Sequence, residues 1–371
     1  MLQSTLSAEF WKSIRGQTTT LPNLYLLFPN WEPRLHPEYL RARDEVFNPW
    51  IERWVANKAT SRKFQKADFA FFAAIQCADA SFDKLCTIAK HFAWYFIWDD
   101  LFDCGPLADD KSKLDSYRDA SLQYLRAALC EKGEYPDLSC FSQQLQDSLR
   151  CWDEVAAHLR EVCTRGTCHD FQFLNIQLAV VVHSNNTAET REELLNKHLF
   201  YASSMGVVDS VFAGGVPSLT KFWRRRERTA GVYSVIATIP FTYGIDISKQ
   251  ELSFDLMRLL WRHTSYLVHM TNDMSSLQKE IGDNQAESLV PVLMLNEGID
   301  CDAAMRLAHQ LVEESTRGFH EVEARMQCMS QRSPNPVYDA YLEGCRNVVM
   351  GLIHFILGNA TSISRISALI M

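Results

Sequence analysis

Asp99, Asp100 and Asp103 stand together in FAWYFIWDDLFDCG, a stretch that is otherwise apolar and aromatic. Residues four apart share one face of a helix, so Asp99 and Asp103 would stack a turn from each other. Like charges at that spacing weaken a helix and are expensive to remove from water. A bound cation relieves both problems. Magnesium suits the task, because it takes one or two carboxylates and completes its shell with water and phosphate oxygens. An acidic run is ordinarily a solvated helix end. Here Phe92, Trp94, Tyr95, Phe96, Trp98 and Phe102 surround it, which is no solvated face.

A second set of oxygen donors lies far downstream. HMTNDMSSLQKEIGD carries Asn272, Ser276 and Glu280 at i, i+4 and i+8, one stripe of a helix. Lys279 beside them suits a phosphate as a point charge. Asp273 either orients the stripe or faces solvent. A polar surface stripe would explain this set alone, but the two sets together offer a cation cluster two walls with a diphosphate between them. FWRRRERTAG adds Arg224, Arg225, Arg226 and Arg228 just before a helix-breaking Ala-Gly. A solvent-exposed basic face accounts for Arg224 and Arg225, while a guanidinium fork also suits bidentate contact with phosphate.

The elements that must carry these residues read as helices. Val46, Trp50, Ile51 and Trp54 recur at helical steps, and the segment from Ala67 to Asp103 is long and apolar. Later segments keep the same period between short breakers such as SNNT, GGVPS, GIDIS and SPNP, with no alternating strand runs and no repeat. This predicts an all-α fold, one helical bundle over residues 38–371, preceded by an extended arm over 1–37 rich in Pro, Thr and Asn. A hydrophobic share of 47% over 371 residues excludes disorder, and a net charge of −8 speaks against nucleic acid. Eleven cysteines, an odd number without framework spacing, point to reduced thiols and a cytoplasmic protein. Cys163, Cys168 and His169 lack the second ligand pair of a zinc site. The N-terminus has no signal-peptide pattern, and Asn359 and Arg365 in the apolar tail argue against a membrane span.

WDDLFD and NDMSSLQKE, in this order and widely separated, resemble the paired metal motifs of class I terpene synthases, most closely the fungal sesquiterpene cyclases. The resemblance extends over nearly the whole chain. It implies a single helical domain around a central cavity, three magnesium ions and a small prenyl diphosphate substrate such as farnesyl diphosphate. It assigns metal ligation to Asp99, Asn272, Ser276 and Glu280, with Asp100 and Asp103 in support. Arg226 lies 46 residues before Asn272, the family's spacing for a diphosphate-sensing arginine. Thr229 is then the linker, the Ala230 carbonyl faces substrate, and Arg228 stands in reserve. Lys279 and Arg365 complete the diphosphate contacts. Arg365 is followed by Ile366 where the family usually has tyrosine, which departs from its closure pair.

Ionising such a substrate makes an allylic cation that water would quench. An apolar pocket with aromatic faces excludes water and stabilises the cation by about 0.5–2 kcal/mol per ring. Counting back from Asp99 puts Phe92, Tyr95 and Phe96 on the cavity side of the helix; elsewhere an aromatic is ordinary core. The expected product is a cyclic sesquiterpene hydrocarbon or alcohol. The alternatives are cyclisation of geranylgeranyl diphosphate, chain elongation of a prenyl diphosphate, or non-catalytic binding by a helical protein. Chain-elongating synthases carry a second aspartate-rich motif where this sequence has NDMSSLQKE, and no D-x-D-D motif for protonation-initiated cyclisation is present. The resemblance leaves room for a homodimer.

Overall fold

The computed structural model describes residues 8–103, 105–107, 110–130, 134–164, 186–204, 217–282, 288–332 and 334–358. Among these residues every regular element is helical, as the 3.6-residue period predicts. Eleven of the helices position the site: α1 (Phe69–Gln76), α2 (Phe82–Asp103), α3 (Lys111–Cys130), α4 (Asp153–Thr164), α5 (Asn186–Ala202), α6 (Leu219–Thr229), α7 (Val232–Ile236), α8 (Asp255–Gly282), α9 (Leu289–Glu297), α10 (Cys301–Arg332) and α11 (Pro336–Gly358).

Helix α2 is apolar on nearly every side because it is surrounded. It packs on α1 and α4, and α1 in turn packs on α11. Helix α8 lies against α10, α11 and α7. The two motif-bearing helices are thereby held in one fold by a shared aromatic and aliphatic core. Buried tryptophans must still satisfy their N–H groups. Trp98 Nε1 donates to Ser121 Oγ of α3 at 3.0 Å, and Trp94 Nε1 donates to the Ser148 carbonyl at 2.8 Å. These bonds fix the rotation of α2 and hence the direction of its aspartates. Close approach of α8 and α10 needs Gly318, where an added Cβ would meet the His263 ring at 2.2 Å.

Residues 1–37 depart from expectation where they are described. Ala8–Ile14 is helical and Leu24–Leu27 forms a 3₁₀ turn. Trp11, Ile14, Leu24, Phe28 and Trp31 are buried, and the Trp31 ring packs at a tilt against Phe319 of α10 with centroids 4.8 Å apart. The apolar residues scattered among the prolines have a core to join, so the segment packs instead of extending. Trp50 and Ile51 are buried as their spacing predicts, although the turn preceding them, Ala42–Phe47, is π-helical. No helix among the described residues is long and apolar enough to cross a membrane. Buried Cys77, Cys86, Cys151, Cys301 and Cys345 and exposed Cys140 and Cys328 are free thiols.

Beneath the first motif a histidine pair is fully buried. Trp152 Nε1 donates to His91 Nδ1 at 3.2 Å, so neutral His91 carries its proton on Nε2. That proton points to His198 Nε2 at 3.1 Å, and His198 Nδ1 donates to the Leu194 carbonyl at 2.6 Å. The chain is complete only with both rings neutral. Burial accordingly depresses both, His198 to about 4 from its usual 6.5 and His91 well below 6.5. Below pH 6.5 the unfolded chain binds protons that the folded one refuses, so stability falls as pH drops from 6.5 towards 4. For His198 the loss is on the order of 3 kcal/mol. Melting temperature followed from pH 7 to pH 4 should fall, and His198→Gln should flatten that dependence.

Candidate functional site

Asp99 and Asp100 lie half-buried in the last turns of α2. The Tyr201 hydroxyl at the end of α5 donates to Asp99 Oδ1 at 2.9 Å. Asp103 is the last residue of α2, and its side chain lies outside the described set, as does the whole of Arg365. Cys168 and His169 and the side chain of Cys163 are outside it too.

The second stripe forms on α8 as its spacing requires. Ser276 Oγ lies 2.8 Å from the Asn272 carbonyl and 2.7 Å from Glu280 Oε1, so its single proton serves one acceptor at a time. Among the described residues Glu280 Oε2 is buried with no hydrogen-bond partner. Burial, then the nearby Asp273 charge, push the Glu280 carboxyl up to about 7, against the lowering effect of Ser288, Ser276 and Arg226. A desolvated carboxylate oxygen without a donor is costly in a protein that binds nothing there. It is suited to a cation. Asn272 and Ser276 on the same stripe are further oxygen donors, so the set fits magnesium. Among the described residues no three His, Cys, Asp or Glu side chains converge into a closed metal cage.

Arg226 pairs with Asp273, the neighbour of Asn272 on α8. It donates from Nη2 to Asp273 Oδ1 at 2.5 Å and from Nε to Oδ2 at 3.3 Å. Burial works against its charge, but Asp273, with Glu280 and Asp99 also acting on it, leaves the guanidinium above its usual range. The same arginine therefore feels a carboxylate from each motif. Asp273 is fully buried, which excludes the solvent-facing alternative, and its Oδ2 also accepts the Leu289 N–H at the start of α9 at 3.0 Å. Burial raises its carboxyl, with Arg226 pulling in the other direction.

The other arginines separate by exposure. Arg224 is exposed, and Arg228 is exposed with its guanidinium 5.1 Å from the Phe200 ring centre. Arg225 corrects the expectation of a solvent face: it is half-buried with Nη1 out of contact with water. Lys279 is half-buried on α8. Helix α6 ends at Thr229, Ala230 caps it, and Gly231 takes φ +68°, a left-handed conformation that starts α7 in a new direction. The break falls where the Thr-Ala-Gly sequence puts it.

Of the three aromatics counted back from Asp99, Phe92 is buried and stacks on Phe72 at 4.7 Å. Tyr95 is buried against His91, His198 and Tyr201. Phe96 alone keeps an accessible ring, 44% exposed and 4.5 Å from Phe69. The expectation that Phe96 braces a cation rests on this accessible ring one turn before Asp99. Phe96→Ala should thus preserve ionisation and release more acyclic or singly cyclised product, with Phe96→Tyr less altered. Gas chromatography of the products checks this; an unchanged product ratio with a lower melting temperature would make the ring a packing element. A surface cavity of about 360 Å³, lined by Arg43, Arg62, Lys66, Asp44, Asp68, Asn48 and Gln65, shares no residue with either motif.

Two residues at the site escape the motif spacing, Asp273 in its buried role and Tyr201. Asp273 has a signal in its adjacency to Asn272. Tyr201 has none, because only the fold brings it to Asp99.

Comparison with known proteins places this geometry in context. The family model described as "Terpene synthase family 2, C-terminal metal binding" matches residues 90–318, which span α2 through much of α10. The chain is 23% identical over 336 residues to the sesquiterpene cyclase hepA of Aspergillus oryzae, covering 88% of this chain and 84% of that one. It is 22% identical over 332 residues to germacrene A synthase of Nostoc punctiforme, covering 89% and 91%. Its fold is similar to the crystal structure of germacradien-4-ol synthase from Streptomyces citricolor, with a TM-score of 0.68 at 16% identity over 88% of this chain and 96% of that one.

Proposed function

The chain belongs to terpene synthase family 2, and on that premise we propose that it ionises farnesyl diphosphate with magnesium and closes the cation into a sesquiterpene hydrocarbon or alcohol. The observation that carries the reading is Arg226, a half-buried guanidinium paired with fully buried Asp273 beside the second stripe. In our reading Asp99, Asn272, Ser276 and Glu280 hold the metal, with Asp100 and Asp103 in support. When bound, magnesium supplies the Lewis acidity that stabilises charge on the departing diphosphate. Arg226 and Lys279, with Arg365, orient the diphosphate and share its charge as the C–O bond breaks. The aromatic side of α2 excludes water from the cation. Sesquiterpene chemistry is supported by the names of the relatives, and the C15 length is our extension of it to this chain.

Purified protein supplied with C10, C15 and C20 diphosphates should turn over the C15 substrate to a cyclic product with release of diphosphate. Chelation by EDTA should abolish this and magnesium should restore it. A longer prenyl diphosphate as product would make the protein a chain-elongating synthase, and a cyclic C20 product a diterpene cyclase. Full turnover in EDTA would remove the metal from the reading.

A further inference from the structure

We propose that Tyr201 is a positioning residue that ties the metal-binding face of α2 to the helix break after Arg226. The proposal rests on the reading of Asp99 as a metal ligand. Tyr201 is the penultimate residue of α5 and only 6% exposed. Its hydroxyl holds Asp99 Oδ1 at 2.9 Å. Its ring faces the break: a Cβ built on Gly231 would meet three atoms of that ring at 3.4, 3.5 and 3.8 Å. The ring is held from behind by Tyr95, edge-on at 5.3 Å, and by Trp98 at 6.0 Å. One rigid side chain therefore touches both parts of the site.

Each contact has a consequence. A carboxylate that ligates a metal through one oxygen is oriented by whatever holds the other, and such outer partners are worth about 10–100-fold in metal affinity or activity. Gly231 has a positive φ, and a Cβ there would lie in van der Waals contact with the ring, so the break sits one methyl's width from it. Arg226 lies one turn earlier, and its carbonyl accepts the Ala230 N–H at 3.0 Å. Movement of Arg226 towards a diphosphate therefore shifts the segment that rests on Tyr201, and Tyr201 carries the shift to Asp99. Metal binding and diphosphate binding are coupled through this residue.

The test reads metal binding without turnover. With inorganic diphosphate fixed, magnesium is titrated and the concentration giving half of the rise in melting temperature is recorded. Tyr201→Phe keeps the ring and should raise that concentration about 10-fold, with the melting temperature of the metal-free protein unchanged. Gly231→Ala, which sets a methyl against the ring and strains the left-handed backbone of the break without touching Asp99, should raise it as well. Asp99→Asn is the control and should abolish the rise. If Asp99→Asn abolishes it while Tyr201→Phe matches the unaltered protein, the ring is packing only and the proposal falls. A shift in Tyr201→Phe with none in Gly231→Ala overturns the link to the break. Unaltered binding in Asp99→Asn overturns the ligand assignment and the proposal together.

Discussion

Glu280→Gln should reduce turnover of farnesyl diphosphate by about 100-fold or more while leaving the metal-free protein at least as stable as before. Both expectations come from one atom. Among the described residues Glu280 Oε2 is buried without a partner, and the carboxyl is pushed up to about 7 by burial and by the neighbouring Asp273. A carboxylate in that position destabilises the empty protein, since desolvation outweighs what Ser276 returns. Glutamine has the same shape, keeps an oxygen for Ser276 and removes the charge. It therefore removes the cost along with the electrostatic attraction for a divalent cation. Thermal melts in EDTA and steady-state rates in excess magnesium separate the two effects. A variant that loses stability and activity in parallel would make Glu280 a structural residue, and a fully active one would show the second motif to be misassigned.

The difference between Glu280 and Asp273 shows how far the sequence carries. Helical geometry is local, so a spacing of four residues places Asn272, Ser276 and Glu280 on one stripe before any tertiary contact is known. The same rule puts Asp99 a turn from Asp103. The helical class and the break after Thr229 are legible for the same reason, because glycine and proline punctuation and the 3.6 period act within a few residues. Burial is another matter. Asp273 is one position from Asn272 and has the same polarity, yet it faces Arg226 and the α9 N-terminus because of how α6 and α9 dock on α8. Tyr201 meets Asp99 across 102 residues of chain, and no periodicity within α5 announces it. The N-terminal segment reads as an arm because its prolines and polar residues outnumber its apolar ones. Trp11, Ile14, Leu24 and Trp31 are few, but each finds a place in the core. Arg225 is half-buried beside exposed Arg224 for a similar reason: which side of a basic helix is covered depends on its neighbours.

Arg226→Ala should reduce turnover by about 100- to 1,000-fold, the scale of losing a strong donor to developing charge in a site without water. Arg224→Ala, on the exposed side of α6, should stay within about twofold. Lysine at 226 should fall between, because it keeps a charge and loses the planar fork. The alanine variant carries a second effect. It leaves Asp273 fully buried with no counter-charge, and breaking a buried pair from one side costs about 3–5 kcal/mol. Loss of activity in Arg226→Ala could then reflect misfolding alone, and a double variant separates the causes. Asp273→Asn removes the stranded charge and keeps a side-chain oxygen for the Leu289 N–H. Combined with Arg226→Ala, it should restore most of the melting temperature, because the two substitutions act on one interaction and are not additive. Turnover should stay low in the double variant, since the Arg226 guanidinium no longer faces the diphosphate. Recovery of turnover together with stability would assign Arg226 to the architecture of α6 and α8, and leave Lys279, Arg228 and Arg365 as the cations available to the leaving group.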